Sequence, residues 1–161
     1  MKICLTAIMK NIKSLEEKKE RLCREEKENR TTCYINESDK VDTGYDYEFY
    51  RKEIDAIDDE ILGLRSVLNK ANATVKVIGT NYTISEALVR LAQLSAKLNY
   101  LSGFPTVKLS RVTTYNGAIE YTECLYSVKT VTETLEKLRE DISALQMALD
   151  KTNLVYEVDI D

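Results

Sequence analysis

The sequence predicts a mainly helical α+β fold, with four helices in antiparallel hairpins and a small sheet of three or four strands. Its 161 residues include only 5 Gly and 1 Pro, whereas an all-β fold needs many turns. Apolar residues recur at spacings of three and four along four long segments, as in amphipathic helices. One Asn-Gly pair lies between two β-branched and aromatic runs, which is typical of a β-hairpin. The length favours a single domain, 1–161.

The first two helices are predicted to form a helical hairpin over residues 3–72. Helix one is expected from about residue 3 to 30 and helix two from about 47 to 71. The connection 31–46 loses the helical period and is long, and such loops are usually functional or mobile. Helix two carries a narrow apolar stripe of the kind that a coiled-coil-like partner buries.

A short strand, 74–78, and a turn at Gly79–Asn81 are predicted to follow helix two. Helix three is expected over 83–102, because Thr83 and Glu86 have the spacing of a capping box. Gly103 and Pro105 end it.

A β-hairpin is predicted over 107–126, with a type I′ turn at Asn116-Gly117. Helix four is expected over 130–152 and carries a second regular apolar stripe. A last strand, 154–160, completes the order of elements. The residues predicted to form the core are Leu5, Ile8, Ile12, Leu15, Ile54, Ile57, Ile61, Leu64, Leu68, Leu88, Leu91, Leu98, Leu135, Leu138, Ile142, Leu145 and Leu149.

The ends of helices two and four resemble each other. Leu, Lys, Asn and Val recur at the same offsets, as Leu68, Lys70, Asn72 and Val77 and as Leu149, Lys151, Asn153 and Val158. Because Asn tolerates positive φ, each Asn is expected to end its helix and release a strand into one small sheet. The pattern indicates a pseudo-repeat in which a helical pair leads into a strand twice.

Several classes of function are disfavoured by composition. The chain has no His, which removes His-based catalysis and His metal sites. Its four cysteines form no Cys-x-x-Cys pair, and we expect them to be small apolar fillers kept reduced in a cytosol. A net charge of −4 argues against nucleic-acid binding. We therefore predict no catalytic, cofactor-binding or metal-binding residues and no cofactor.

Two further clusters of side chains have an ordinary structural interpretation. Asp55, Asp58, Asp59 and Glu60 on helix two are interpreted as a solvated acidic face rather than a cation site. The dense tyrosines Tyr34, Tyr45, Tyr47 and Tyr50 are interpreted as packing or recognition residues rather than catalysts.

The hairpin carries Lys108, Arg111, Tyr115 and Tyr121, which would suit nucleic acid. Glu120 and Glu123 on the partner strand favour cross-strand charge pairing instead. On helix one, Leu5, Ile8, Met9 and Ile12 lie near Lys2, Lys10 and Lys13, an arrangement that could act on a membrane but that more often faces a core.

Targeting signals are not apparent. The apolar stretch at residues 3–9 is interrupted by Thr6 and followed by Lys10, and its spacing continues into a helix. No segment approaches the roughly 20 apolar residues of a membrane span. A cytoplasmic location is therefore expected.

From residue 69 onward the chain contains a series of short motifs, namely Asn69-Lys-Ala-Asn72-Ala-Thr74, Gly79, Thr83-Ile-Ser-Glu86-Ala-Leu88, Arg90, the basic segment Lys108–Arg111 and Asn153. These motifs resemble the septicolysin-like family of small bacterial proteins, most of which have no known function. Leu154 and Asp150 stand where the family typically has Trp and Gln. The resemblance implies the same order of elements and a haemolysin label, and it supplies no catalytic residues.

Together these observations predict a non-enzymatic, self-associating helical interaction protein. A dimer or tetramer would cover the helix stripes and the open sheet edges. An unknown protein partner is also expected. The alternative is a membrane-acting, pore-forming-like protein, as the family label suggests.

Overall fold

The computed structural model describes residues 2–159, and over this range the chain forms four α-helices and four short strands. In chain order they are β1 (Lys2–Cys4), α1 (Leu5–Asn29), α2 (Tyr47–Thr74), α3 (Ile84–Ser102), β2 (Leu109–Thr113), β3 (Ile119–Glu123), α4 (Val128–Val155) and β4 (Glu157–Asp159). The prediction of a mainly helical α+β fold is confirmed.

Within the described range, the chain divides into two compact units. The first contains residues 2–74 and 153–159, and the second contains residues 75–152. The assignment of one domain to 1–161 stays a prediction, because this division by contacts does not define independently folding parts.

The first unit is built on an antiparallel pair of helices, α1 and α2. Lys19 of α1 contacts Asp58 of α2 at 2.6 Å, and Glu16 of α1 pairs with Arg65 of α2. The apolar stripes predicted for these two helices are buried, which confirms that prediction. The buried residues are Leu5, Ile8, Ile12, Tyr50, Ile54, Ile57, Ile61, Leu64 and Ala71, while Leu15 and Leu68 are half-buried.

A two-stranded antiparallel sheet joins the two ends of the described chain. β1 pairs with β4, with Lys2 opposite Asp159 and Cys4 opposite Glu157. Leu5 N then donates to Tyr156 O at 3.3 Å where α1 begins. The prediction that helix one begins at residue 3 is therefore wrong, because residues 2–4 satisfy their backbone groups in the sheet.

The predicted last strand, 154–160, is also too long. α4 continues to Val155, so β4 begins only at Glu157. Ile160 lies outside the described residues.

The second unit begins with an extended segment rather than the predicted strand 74–78. α2 continues to Thr74, and Gly79 with φ of +78° helps to reverse the chain shortly afterwards. Only an isolated bridge between Lys76 and Thr83 forms, together with a bond from Val77 N to Tyr82 O at 2.9 Å. The pairing extends no further because α2 ends at Thr74 and α3 begins at Ile84.

The start of α3 has the predicted capping box. Glu86 N donates to Thr83 Oγ1 at 3.2 Å, and Thr83 N donates to Glu86 Oε2 at 2.7 Å. The bond from Thr83 N to the Glu86 carboxylate, together with hydrogen bonding from the Thr83 side chain, holds the pKa of Glu86 below its usual range. The helix ends at Ser102, as predicted.

One residue that is predicted to lie in the core, Leu88, is exposed in the second unit. Leu88 is 47% exposed, and Ala87 is buried instead. At about 100° per residue, Leu88 lies on the opposite side of Ile84 from Ala87, Leu91 and Leu94, so it leaves the buried stripe. The buried residues are Val75, Val77, Ile84, Ala87, Leu91, Leu94, Leu138, Leu145, Leu149 and Thr152, while Leu98, Leu135 and Ile142 are half-buried.

The predicted single sheet of three or four strands is replaced, over residues 2–159, by two separate two-stranded sheets, β1–β4 and β2–β3. The β2–β3 turn also differs from the predicted type I′. Gly117 N donates to Thr114 O at 2.9 Å, and Thr114 N donates to Ala118 O at 2.8 Å. Within this loop only Gly117 has a positive φ, of +78°, so the loop is a three-residue turn with Gly in the left-handed position.

The two units repeat one order of elements. α2 and α4 end at Thr74 and Val155, each two residues beyond a matching Asn. Ile84 N, at the start of α3, donates to Val75 O at 2.9 Å, as Leu5 N donates to Tyr156 O. Each unit therefore has an extended pairing, a helix, a connection and a second helix.

Two details of the predicted repeat are wrong. Asn72 and Asn153 lie inside their helices, and among residues 2–159 only glycines have positive φ. The segments that follow these helices also join separate pairings rather than one sheet.

Candidate interaction surface

The β2–β3 hairpin lies in the connection between α3 and α4 and is exposed on both faces. Every residue of both strands is exposed. The exposed side chains include several large apolar ones, among them Val112 at 60% exposure. The others are Leu109, Ile119 and Tyr121, with Tyr115 at the tip and Val107 and Leu125 at the base. The hairpin thus presents apolar surface that its own chain leaves uncovered within residues 2–159.

Both outer edges of the hairpin have free backbone groups. Thr114 N donates to Ala118 O and Cys124 N donates to Lys108 O, each at 2.8 Å. Because hydrogen-bonded and non-hydrogen-bonded pairs alternate, the backbone groups of Ile119, Tyr121 and Glu123 point away from β2. Within residues 2–159, the outer edges of β2 and β3 pair with no other strand.

The predicted charge pairing across the hairpin does not form. Arg111 lies opposite Tyr121, Glu120 lies opposite Val112, and Glu123 lies opposite Leu109. On one face of the hairpin, the register instead places the cation Arg111 directly opposite the aromatic residue Tyr121. The basic residues belong to the β2 side and the acidic residues to the β3 side.

The base of the hairpin is anchored. Tyr126 donates its hydroxyl hydrogen bond to Pro105 O at 2.7 Å, and its ring lies 5.2 Å from that of Phe104. Phe104 in turn contacts Tyr100 edge to face at 5.3 Å. The hydrogen bond with the Cys124 side chain and burial raise the pKa of Tyr126 to about 12. This contact fixes where the hairpin leaves the helices.

Three of the four tyrosines, Tyr45, Tyr47 and Tyr50, form a packing cluster. It lies where the first connection, residues 30–46, meets the start of α2. Tyr45 donates its hydroxyl to Glu26 Oε1 at 3.0 Å and stacks on Tyr50 at 5.6 Å. Arg51 pairs with Glu26 and lies 5.6 Å from the Tyr47 ring. Tyr34 lies apart, 5.5 Å from Lys40 Nζ.

These contacts close the first connection onto its own helices. Burial raises the pKa of Tyr45 and that of Tyr50, which disfavours the tyrosinate that a base catalyst would need. The interpretation as packing residues agrees with this geometry.

The acidic face of α2 is exposed, as predicted. Asp58 is neutralised by Lys19, and Asp55, Asp59 and Glu60 face solvent. Across residues 2–159, no group of three or more Cys, Asp or Glu side chains is arranged to hold a metal ion.

A groove in the second unit was not predicted. It measures about 350 Å³ and lies between α3, α4 and the turn at 78–82. Its walls are mostly apolar, with Arg90 and Asp141 as the charged residues. These residues lie far apart in sequence and share no motif, so only the folded arrangement reveals the groove.

The cysteines depart from the prediction in part. All four are free thiols, but Cys23 and Cys33 are exposed and Cys4 and Cys124 are half-buried, so none is a buried core filler. Cys124 Sγ lies 3.2 Å from Val107 O at the hairpin base.

The apolar face of α1 faces the core. Leu5, Ile8 and Ile12 are buried, and Met9 is the exposed member of the set. No helix within residues 2–159 combines the length and the apolar character that crossing a membrane requires.

Comparison with family models, curated proteins and solved structures gives no match to this chain. The septicolysin-like assignment stays a prediction.

Proposed function

We propose that this protein is a non-enzymatic interaction protein that self-associates through the β2–β3 hairpin. The observation that carries the proposal is the exposure of every residue of both strands, with both outer edges unpaired within residues 2–159. A free edge is a template for pairing with another chain, and proteins that do not use such an edge usually block it.

Energetics support a role for a second copy. An isolated two-stranded hairpin is marginal in water, and about three strands with an apolar face are needed for independent stability. Two hairpins that share an edge provide four strands and cover part of the apolar surface at Ile119 and Tyr121. The base contact of Tyr126 with Pro105 presents the hairpin in a defined direction for this purpose.

The apolar stripes of the helices are expected to contribute less to self-association than the sequence predicts. Ile54, Ile57 and Ile61 are already buried within the chain, so they do not require a partner. The oligomer therefore depends on the hairpin, and the dimer is the simpler of the two predicted assemblies. A tetramer would need a second surface, and a different protein could also add to the edge that remains free.

No specific observation favours the membrane-acting alternative. The residues of α1 that would have to enter a bilayer are buried. A cytoplasmic location forms part of the proposal, and the four free thiols support it because such thiols persist in a reducing compartment.

Sedimentation velocity over a wide range of protein concentrations tests the proposal. The native chain is expected to shift from monomer to dimer or tetramer with increasing concentration. Replacing Ile119→Lys together with Tyr121→Lys places charges at the β3 edge and should keep the chain monomeric. Leu62→Lys, an exposed apolar residue on α2, is the matched control and should leave the association unchanged.

Far-UV circular dichroism should give the same helix content for all three proteins. A native chain that stays monomeric at all concentrations would contradict the proposal. An equal loss of association in the Leu62→Lys variant would also contradict it, since association would then not be specific to the hairpin.

A further inference from the structure

We infer that the second copy adds at the outer edge of β3, antiparallel to it, with a two-fold axis through Tyr121. This inference rests on the proposed self-association and specifies its edge and register. The result is one continuous four-stranded sheet in the order β2, β3, partner β3, partner β2.

The backbone of β3 is self-complementary in this register. Ile119, Tyr121 and Glu123 direct their free N–H and C=O groups outward. A two-fold axis at Tyr121 places Ile119 opposite the partner's Glu123 and Tyr121 opposite the partner's Tyr121. All outward groups of β3 then find partners, and no Glu directly faces another Glu.

The β2 edge is less suited to the same pairing. A two-fold axis at its centre would place Arg111 opposite the partner's Arg111, and directly opposed like charges are destabilising. Lys108 lies immediately before β2, and lysine at an edge is a usual way to prevent pairing. On β3 the central residue is instead an aromatic, which gains from a cross-strand aromatic neighbour.

The register also orders the side chains across the new sheet. Within one copy, Arg111 lies opposite Tyr121. The two-fold axis extends this pair into a row in which the two Tyr121 rings are central and the two Arg111 side chains are at the outside. The two Arg111 side chains are therefore kept apart by the two Tyr121 residues.

Closure distinguishes this arrangement from the pairing of β2 with a partner's β3. That pairing matches the basic strand with the acidic one, but it leaves a free edge at each end and adds copies without limit. A two-fold pairing through β3 forms a closed dimer. The measured mass separates these two outcomes.

Disulfide trapping tests the register. In a background with Cys23→Ser and Cys33→Ser, which removes the exposed thiols, Tyr121→Cys is placed on the predicted axis. Opposed Cα atoms in such a pair are about 5.5 Å apart, within the range of a disulfide. The matched controls are Arg111→Cys, on the axis of a β2 pairing, and Thr122→Cys, whose two copies would be about 8 Å apart across the axis.

In a glutathione redox buffer, the Tyr121→Cys chain is expected to form covalent dimer about tenfold faster than either control or the background, since only its sulfurs lie within bonding range. Sedimentation of the reduced proteins is measured in parallel, and hydrogen exchange of the native chain at residue 121 provides a second measurement without substitutions.

Each other outcome has a definite meaning. If the reduced chains associate but Arg111→Cys links as fast as or faster than Tyr121→Cys, or none links above background, the inferred register is wrong and the proposed function stands. If a mixture of the Arg111→Cys and Tyr121→Cys chains links only between the two variants, the open β2–β3 pairing is correct and the inference is overturned. If the native chain is monomeric, both the inference and the proposed function fail.

Discussion

The two connections between helices occupy the same place in the repeated order of elements but have opposite fates. Residues 30–46 close onto their own unit, where Glu26 pairs with Arg51 and accepts from Tyr45. Residues 103–127 are fixed at their base by Tyr126 and otherwise form an exposed hairpin. The first connection uses its polar and aromatic groups internally, whereas the second keeps its backbone edges and apolar side chains available.

The two connections differ in which of their groups remain available for contacts with another molecule. A cluster of tyrosines in a long connection suggests a recognition site, yet here Tyr45 and Tyr50 stabilise the local fold. The hairpin is a regular element, which usually indicates structure rather than recognition. Its lack of covering residues within 2–159, rather than its composition, is the reason why we propose it as the interaction surface.

The largest expected effect is on the free energy of unfolding, which should depend on a core residue but not on an exposed apolar residue of the hairpin. Ile61 is 9% exposed and Val112 is 60% exposed. Ile61→Ala should lower the free energy of unfolding by about 2–5 kcal/mol, because it leaves a cavity in the first unit. Val112→Ala should change it by less than about 0.5 kcal/mol, as surface substitutions usually do.

Urea unfolding followed by circular dichroism, at a concentration where the chain is monomeric, measures both values. Equal losses for the two variants would mean that the hairpin is packed in the monomer, and the distinction between the two connections would be wrong.

A smaller effect is expected from loosening the first connection. Glu26→Gln keeps the shape of the side chain but removes the charge that holds Arg51. The unfolding midpoint should fall by less than for Ile61→Ala, and the amides of residues 31–46 should exchange several-fold faster. The exposed residue Glu28 on the same helix provides the control, Glu28→Gln, which should change neither.

Sedimentation of the Glu26→Gln chain tests whether the first connection takes part in self-association. Self-association should be unchanged, since the hairpin is untouched. A loss of association with an intact helix content would assign binding to the first connection instead.

Local patterns predicted most of the helices. The capping box at Thr83, the apolar stripe from Ile54 to Leu64 and the Asn116-Gly117 hairpin are all short-range signals, and each has its element in the structure. Leu88 was misassigned because the stripe of α3 is centred on the small residue Ala87, which gives a weak apolar signal.

Features that depend on distant residues could not be predicted. β1 exists because residues 2–4 meet residues 157–159, and three residues alone carry no strand signal. The exposure of the hairpin is equally non-local. Alternation in β2 and β3 indicates strands, but only the surrounding structure determines whether a layer covers them.

Hydrogen exchange of individual hairpin amides, followed by NMR as the native chain is concentrated, is the decisive test of self-association through the outer edge of β3. The outward amides of Ile119, Tyr121 and Glu123 should become protected with increasing concentration, while those of Leu109, Arg111 and Thr113 on the other edge should stay fast. Protection of the β3 set alone is the result that the two-fold pairing predicts. Fast exchange of all six amides at every concentration would contradict hairpin-mediated self-association.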